Sequence, residues 1–94
     1  PPPEKKEARR QRVVEPKYTR DAERNGVEGK IVLLVTIDET GKVVAVKLIG
    51  RGLGYGLDEA ALQAVRKWRY SPATLGGAPI RTTKRETVEF VLED

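Results

Sequence analysis

The chain contains no cysteine, no histidine and no methionine. Without cysteine it can form no disulfide, offer no thiolate nucleophile and build no Cys/His metal cluster. Without histidine it lacks the side chain most often used as a general base at neutral pH. These absences exclude most enzyme classes before any motif is read. Aromatic residues are scarce at 5%, with one tryptophan, three tyrosines and one phenylalanine. Stacking platforms for single-stranded nucleic acid are correspondingly few. No apolar run approaches the ~20 residues needed to span a bilayer, and no signal peptide is visible. The chain opens at Pro1 rather than at a methionine, as an excised piece of a longer protein would.

What is present suits one small domain. The 94 residues are 38% hydrophobic and 34% charged, with a net charge of +4. That balance is polar for a globular domain but is not a signature of disorder. A mildly basic surface favours encounter with acidic partners without naming one. The apolar residues concentrate after Ile31.

Residues 1–15 carry three leading prolines and a charged stretch from Lys5 to Arg12. They read as a flexible Pro/charge-rich linker, with a basic anchor for nucleic acid or anionic lipid as the sharper alternative. Thr19 or Asp21 can cap a helix of about two turns that Asn25–Gly26 ends. In 27–38, Ile31, Leu33, Val35 and Ile37 alternate on one face, with Val32, Leu34 and Thr36 on the other. Apolar residues on both faces predict a central strand. Glu39–Thr40–Gly41 supplies a hairpin loop. The return strand covers 42–49, with Val44, Val46 and Leu48 sharing a face.

The glycine-rich stretch 50–56 follows a strand and precedes a helix, where phosphate-cradling loops occur. Its spacing fails that motif, because Tyr55 or Leu57 stands where a third glycine is required. It reads as a connection. A helix is predicted over 58–69, with Asp58 as N-cap, Leu57 and Leu62 as a staple, and Ala60, Ala61, Ala64, Val65 and Trp68 as its buried stripe. Residues 73–80 read as a loop. Arg81–Leu92 reads as the last strand, with Val88, Phe90 and Leu92 facing the core. The adjacent carboxylates Asp38–Glu39 and Asp58–Glu59 fit a turn and a helix start rather than a catalytic pair. No catalytic residue, cofactor site or metal site is expected.

The order helix, strand, strand, helix, strand implies an α+β fold. A right-handed crossover returns the third strand beside the first. The result is a three-stranded antiparallel sheet of order 2-1-3 with two helices on one face. Strand three then lies at an edge, and its unpaired backbone groups form a template for an incoming strand.

From residue 16 onward the chain resembles the TonB C-terminal domain family. The matching segments are Pro16-Lys17-Tyr18, Gly26-Val27-Glu28-Gly29, Asp38-x-x-Gly41-Lys42-Val43 and Leu57-Asp58-Glu59-Ala60-Ala61-Leu62. Val65 to Ala73, Gly77-x-Pro79-Ile80 and Val88-Glu89-Phe90-Val91-Leu92 complete the match. The resemblance makes 16–94 the domain and 1–15 the end of a periplasmic spacer. It implies a non-enzymatic protein of the periplasm, anchored to the inner membrane in its full-length form and coupled to an ExbB–ExbD-type motor. Its partner would be an outer-membrane TonB-dependent transporter, captured through a TonB box by strand addition. The residues this implies are Glu15, Pro16, Lys17 and Tyr18 with Thr83, Lys84, Arg85, Glu86, Thr87, Val88, Glu89, Phe90 and Val91. Homodimerisation through the same edge is compatible with the pattern, as is service to another envelope-spanning machine; nucleic acid is not an expected partner. The chain departs from the family at Thr19, Glu15 and Gly50-Arg51-Gly52.

Overall fold

The computed structural model describes residues 2–93. Its centre is a three-stranded antiparallel sheet. We number the strands in chain order, β1 (Lys5–Lys6), β2 (Arg9–Arg12), β3 (Gly29–Ile37), β4 (Val43–Ile49), β5 (Arg69–Ser71), β6 (Ala73–Leu75), β7 (Ala78–Ile80) and β8 (Thr82–Phe90). The helices are α1 (Arg20–Arg24) and α2 (Leu57–Arg66). The main sheet has the order β4-β3-β8, which is the predicted 2-1-3 arrangement.

Alternation in β3 decides where the core lies. Ile31, Leu33, Val35 and Ile37 are all fully buried, while Val32, Leu34 and Thr36 are half-buried on the opposite face. Ala22 of α1 and Leu57, Ala61 and Val65 of α2 join the same core cluster as the buried β3 residues. Both helices therefore cover one face of the sheet and leave the other open. Burying each large aliphatic side chain contributes about 1.5–3 kcal/mol, so this cluster is the main source of stability.

Several local expectations change. Thr19 is the N-cap of α1, accepting a hydrogen bond from the Ala22 amide at 3.2 Å. The N-cap of α2 is Gly56 at φ 80°, two residues before Asp58, where the cap was expected. Asp58 instead points backward and accepts from the Leu53 and Gly54 amides at 2.8 and 3.0 Å. Its carboxylate pins the glycine-rich connection. The helix stops at Arg66, so Trp68 lies beyond it rather than on its stripe, although it is buried. In β4 a bulge pairs Ile37 with Val43 and Thr36 with Ala45, skipping Val44. Val43 thus turns inward and Val44 is 44% exposed.

Two segments read as irregular are strands. Residues 73–80 fold into the β6–β7 hairpin, turning at Gly76–Gly77. The segment expected to be a linker also pairs: β1 with β6 and β2 with β5, both antiparallel. Ala8 between them is 1% exposed and belongs to the core cluster. The pattern of 1–15 gives no hint of this, because one small apolar residue among charges carries no periodicity. The pairing is decided by the edges that β5 and β6 present.

Gly41 joins the two parts. At φ 89° it closes the β3–β4 hairpin, and its carbonyl accepts from the Tyr70 amide at 2.9 Å. A β-carbon at this position would collide with the Tyr70 carbonyl oxygen.

Candidate docking edge and cleft

β8 is paired with β3 along all nine of its residues, from Gly29↔Phe90 to Ile37↔Thr82. Among the described residues, no strand pairs with its other side. Its side chains divide by parity. Glu86, Val88 and Phe90 are buried on the helix side at 8%, 5% and 2% exposure. Thr83, Arg85, Thr87 and Glu89 are exposed, and Lys84 is half-buried. The side chains of Glu86, Val88 and Phe90 are committed to the core, so an incoming strand meets these residues through their backbone.

The residues just before α1 reach the far end of this strand. Glu15, Pro16 and Tyr18 line one shallow cleft of about 330 Å³ together with Glu89, Phe90 and Val91. Tyr18 is half-buried there. Its ring meets that of Phe90 edge-on at 5.4 Å, and its hydroxyl donates to the Val27 carbonyl. Desolvation raises the Tyr18 hydroxyl above the usual tyrosine range, with the Glu28 and Glu23 charges adding to the effect. Glu28 also accepts from the Leu92 amide at 2.9 Å, which fixes the chain as it leaves β8. Lys17 is not part of this cleft. It lines a second groove of about 380 Å³ between residues 14–19 and α2, with Ala60, Gln63, Ala64 and Lys67.

The sequence reading missed the wall beside β8. Residues 8–18 run along its helix side in the same order. Lys84 donates to the Ala8 carbonyl at 3.0 Å, and Arg10 lies 3.9 Å from Glu86. The Trp68 indole donates to the Val14 carbonyl at 2.8 Å, and the Arg10 guanidinium sits over the Trp68 ring at 5.8 Å. Behind this wall the Tyr70 hydroxyl donates to Glu86 at 2.6 Å. Burial, then the hydrogen bond and charge of Glu86, push the Tyr70 hydroxyl well above its ordinary range. An unpaired buried carboxylate would be costly, so this bond and Arg10 together keep Glu86 tolerable inside. No sequence spacing links residues 8, 10 and 14 to 68, 70, 84 and 86.

A family model for the C-terminal region of Gram-negative bacterial TonB proteins matches residues 14–92. The chain belongs to the TonB C-terminal domain family. It is 31% identical over 80 residues to protein TonB of Vibrio cholerae, covering 85% of this chain and 33% of that protein. It is 36% identical over 77 residues to protein TonB of Xanthomonas campestris, covering 82% and 34%. The chain thus spans about a third of the length of these relatives. The solution structure of the Pseudomonas aeruginosa TonB C-terminal domain superposes with a TM-score of 0.74 at 25% identity, covering 94% of this chain and 89% of that one. The fold expected from the resemblance is therefore present. Members of the TonB C-terminal family are not enzymes.

Proposed function

We propose that this domain captures a short extended segment, the TonB box of an outer-membrane transporter, by adding it as a fourth strand beside β8. The observation that carries this reading is a nine-residue strand saturated on one side and, among the described residues, unpaired on the other, ending at a cleft built by Glu15, Pro16 and Tyr18. The exposed members of β8, Thr83, Arg85, Thr87 and Glu89, would lie beside the incoming side chains. Lys84 and Val91 would flank them.

The energetics suit a reversible grip. About five backbone hydrogen bonds contribute ~0.5–1.5 kcal/mol each. Ordering a disordered segment and losing its translational freedom offset much of that sum. Affinity on the order of micromolar follows. Backbone pairing reads strand shape before side chains, so selectivity falls to the cleft at the Phe90 end.

In the full-length protein this domain would work in the periplasm, held by an inner-membrane anchor. Residues 1–15 would continue into a spacer that carries force from a proton-driven ExbB–ExbD-type motor. The same free edge would also accept a second copy of the domain when no transporter segment is present.

The test is a paired proline scan. In an antiparallel strand, successive residues direct their backbone groups to opposite sides. One of Thr87→Pro and Val88→Pro therefore breaks the ladder to β3, and the other removes a donor from the free edge. We expect one variant to lose stability. The other should stay folded and lose at least tenfold in affinity for a TonB-box peptide in an NMR titration. If the stably folded variant binds as the parent does, strand addition at β8 is wrong.

A further inference from the structure

The strands β2 and β5 meet in a register that sets like charges against each other. Arg12 lies directly opposite Arg69, and Lys42 bridges to Arg69 from its other side. Opposed residues on antiparallel strands share a face, with β-carbons about 4.5–5.5 Å apart. Lys42, Arg69 and Arg12 therefore form one transverse row. Ser71 is two residues along from Arg69 and on its face, and Arg9 lies opposite Ser71, so Arg9 joins the row's outer surface. All four cations are exposed. The intervening Tyr70 and Arg10 point the other way, toward Glu86.

Directly opposed like charges destabilise a strand pair, and this ribbon is short enough to feel it. The acidic groups on the neighbouring elements do not relieve it. Asp38 turns onto the Thr40 and Lys42 amides, Glu39 pairs with Arg81, and Glu7 pairs with Lys5. Glu4 and Glu7 share a cleft with Arg9, but no carboxylate among the described residues is within ion-pair distance of these four cations. The Arg69 guanidinium donates at 3.0 Å to the Trp68 carbonyl, which carries no charge to offset it.

We infer that the row Lys42–Arg69–Arg12, with Arg9, is a docking surface for the phosphate groups of an anionic membrane. Charge complementarity carries the choice of an anion. The layout of the row favours a surface that presents many phosphates at once, because its four exposed cations are spread across β2, β5 and Lys42 rather than gathered around one point. A protein partner is disfavoured because these residues and Ser71 provide no apolar or aromatic anchor of the kind that carries protein interfaces. Lys42 adjoins the Ile37–Thr82 end of the sheet, opposite the Phe90 end where the peptide cleft lies. The domain can therefore touch a membrane and hold a strand together.

The test is co-sedimentation of the 94-residue chain with phosphatidylcholine vesicles, with and without phosphatidylglycerol. We expect binding only to the anionic vesicles, weakening as salt rises. Arg69→Gln and Arg12→Gln should each lower the partition coefficient about fivefold, as expected for a basic residue near an anionic surface. Lys47→Gln, an equal loss of charge on β4, should lower it far less. Thermal melts of Arg69→Gln and Arg12→Gln should be no lower than the parent's, since repulsion is relieved. Equal loss from Lys47→Gln would reduce the effect to net charge and overturn the site. Saturable binding of inorganic phosphate alone, or of poly-glutamate in preference to vesicles, would overturn the membrane assignment.

Discussion

β3 and β2 are both strands, but different forces make them so. β3 has nine residues, hydrogen-bonded neighbours on both sides and four fully buried aliphatic side chains. β2 has four residues, Arg9-Arg10-Gln11-Arg12, all exposed, with one paired neighbour and a bulge. The first would bury its apolar face in almost any arrangement of this sheet. The second exists because β5 offers it an edge and because Ala8, Arg10 and Val14 find partners on Lys84, Glu86 and Trp68. A strand that brings its own burial is specified by its sequence, whereas one that borrows an edge is specified by its neighbours.

The contrast can be broken at several strengths. Leu33→Ala removes a fully buried side chain from the middle of β3 and should cost about 2–5 kcal/mol in a denaturant titration. A cost under about 1 kcal/mol would mean that β3 is not the centre of the core.

Tyr70→Phe should cost about 1–3 kcal/mol, because it takes a hydroxyl donor from the buried Glu86. It should also change the alkaline limb of the stability curve. The folded state holds the Tyr70 proton at pH values where the unfolded chain, with an ordinary tyrosine near 10, releases it. The folded state then binds more protons, so stability falls as pH rises past about 10. Tyr70→Phe should flatten that fall, leaving the part that Tyr18 contributes in the same direction. An unchanged alkaline slope would count against the buried Tyr70–Glu86 bond.

The smallest effect belongs to the ribbon. Deleting residues 2–7, which leaves Arg10 and the buried Ala8 in place, should lower stability by no more than about 2 kcal/mol, because a few exposed backbone hydrogen bonds are offset by the entropy of ordering them. Hydrogen exchange should show β2 amides opening locally while β3 amides wait for global unfolding. Equal protection in both strands would erase the distinction.

The sequence was informative where pattern and burial coincide. The alternation of β3, a cap at Thr19 or Asp21, the glycine of the β3–β4 hairpin and the edge position of β8 could all be read from residue order. The family resemblance named Glu15, Pro16 and Tyr18 and the last strand separately, and only the structure brings them to one cleft. Details set by competition between neighbours could not be read from residue order. Asp58 abandons the helix cap because two loop amides are within its reach, and Val44 leaves the core because a bulge moves Val43 into its place.

By itself, then, the amino-acid order determined the three-stranded sheet, its covered face and its free edge. Apolar period fixes each strand and its buried face, and the right-handed crossover fixes their order. Tertiary structure alone decided that a charged, patternless leader lies down as two strands, that Arg10 and Tyr70 meet at Glu86, and that Lys42, Arg69 and Arg12 line up. Those contacts join residues tens of positions apart, and no local propensity carries information over that distance.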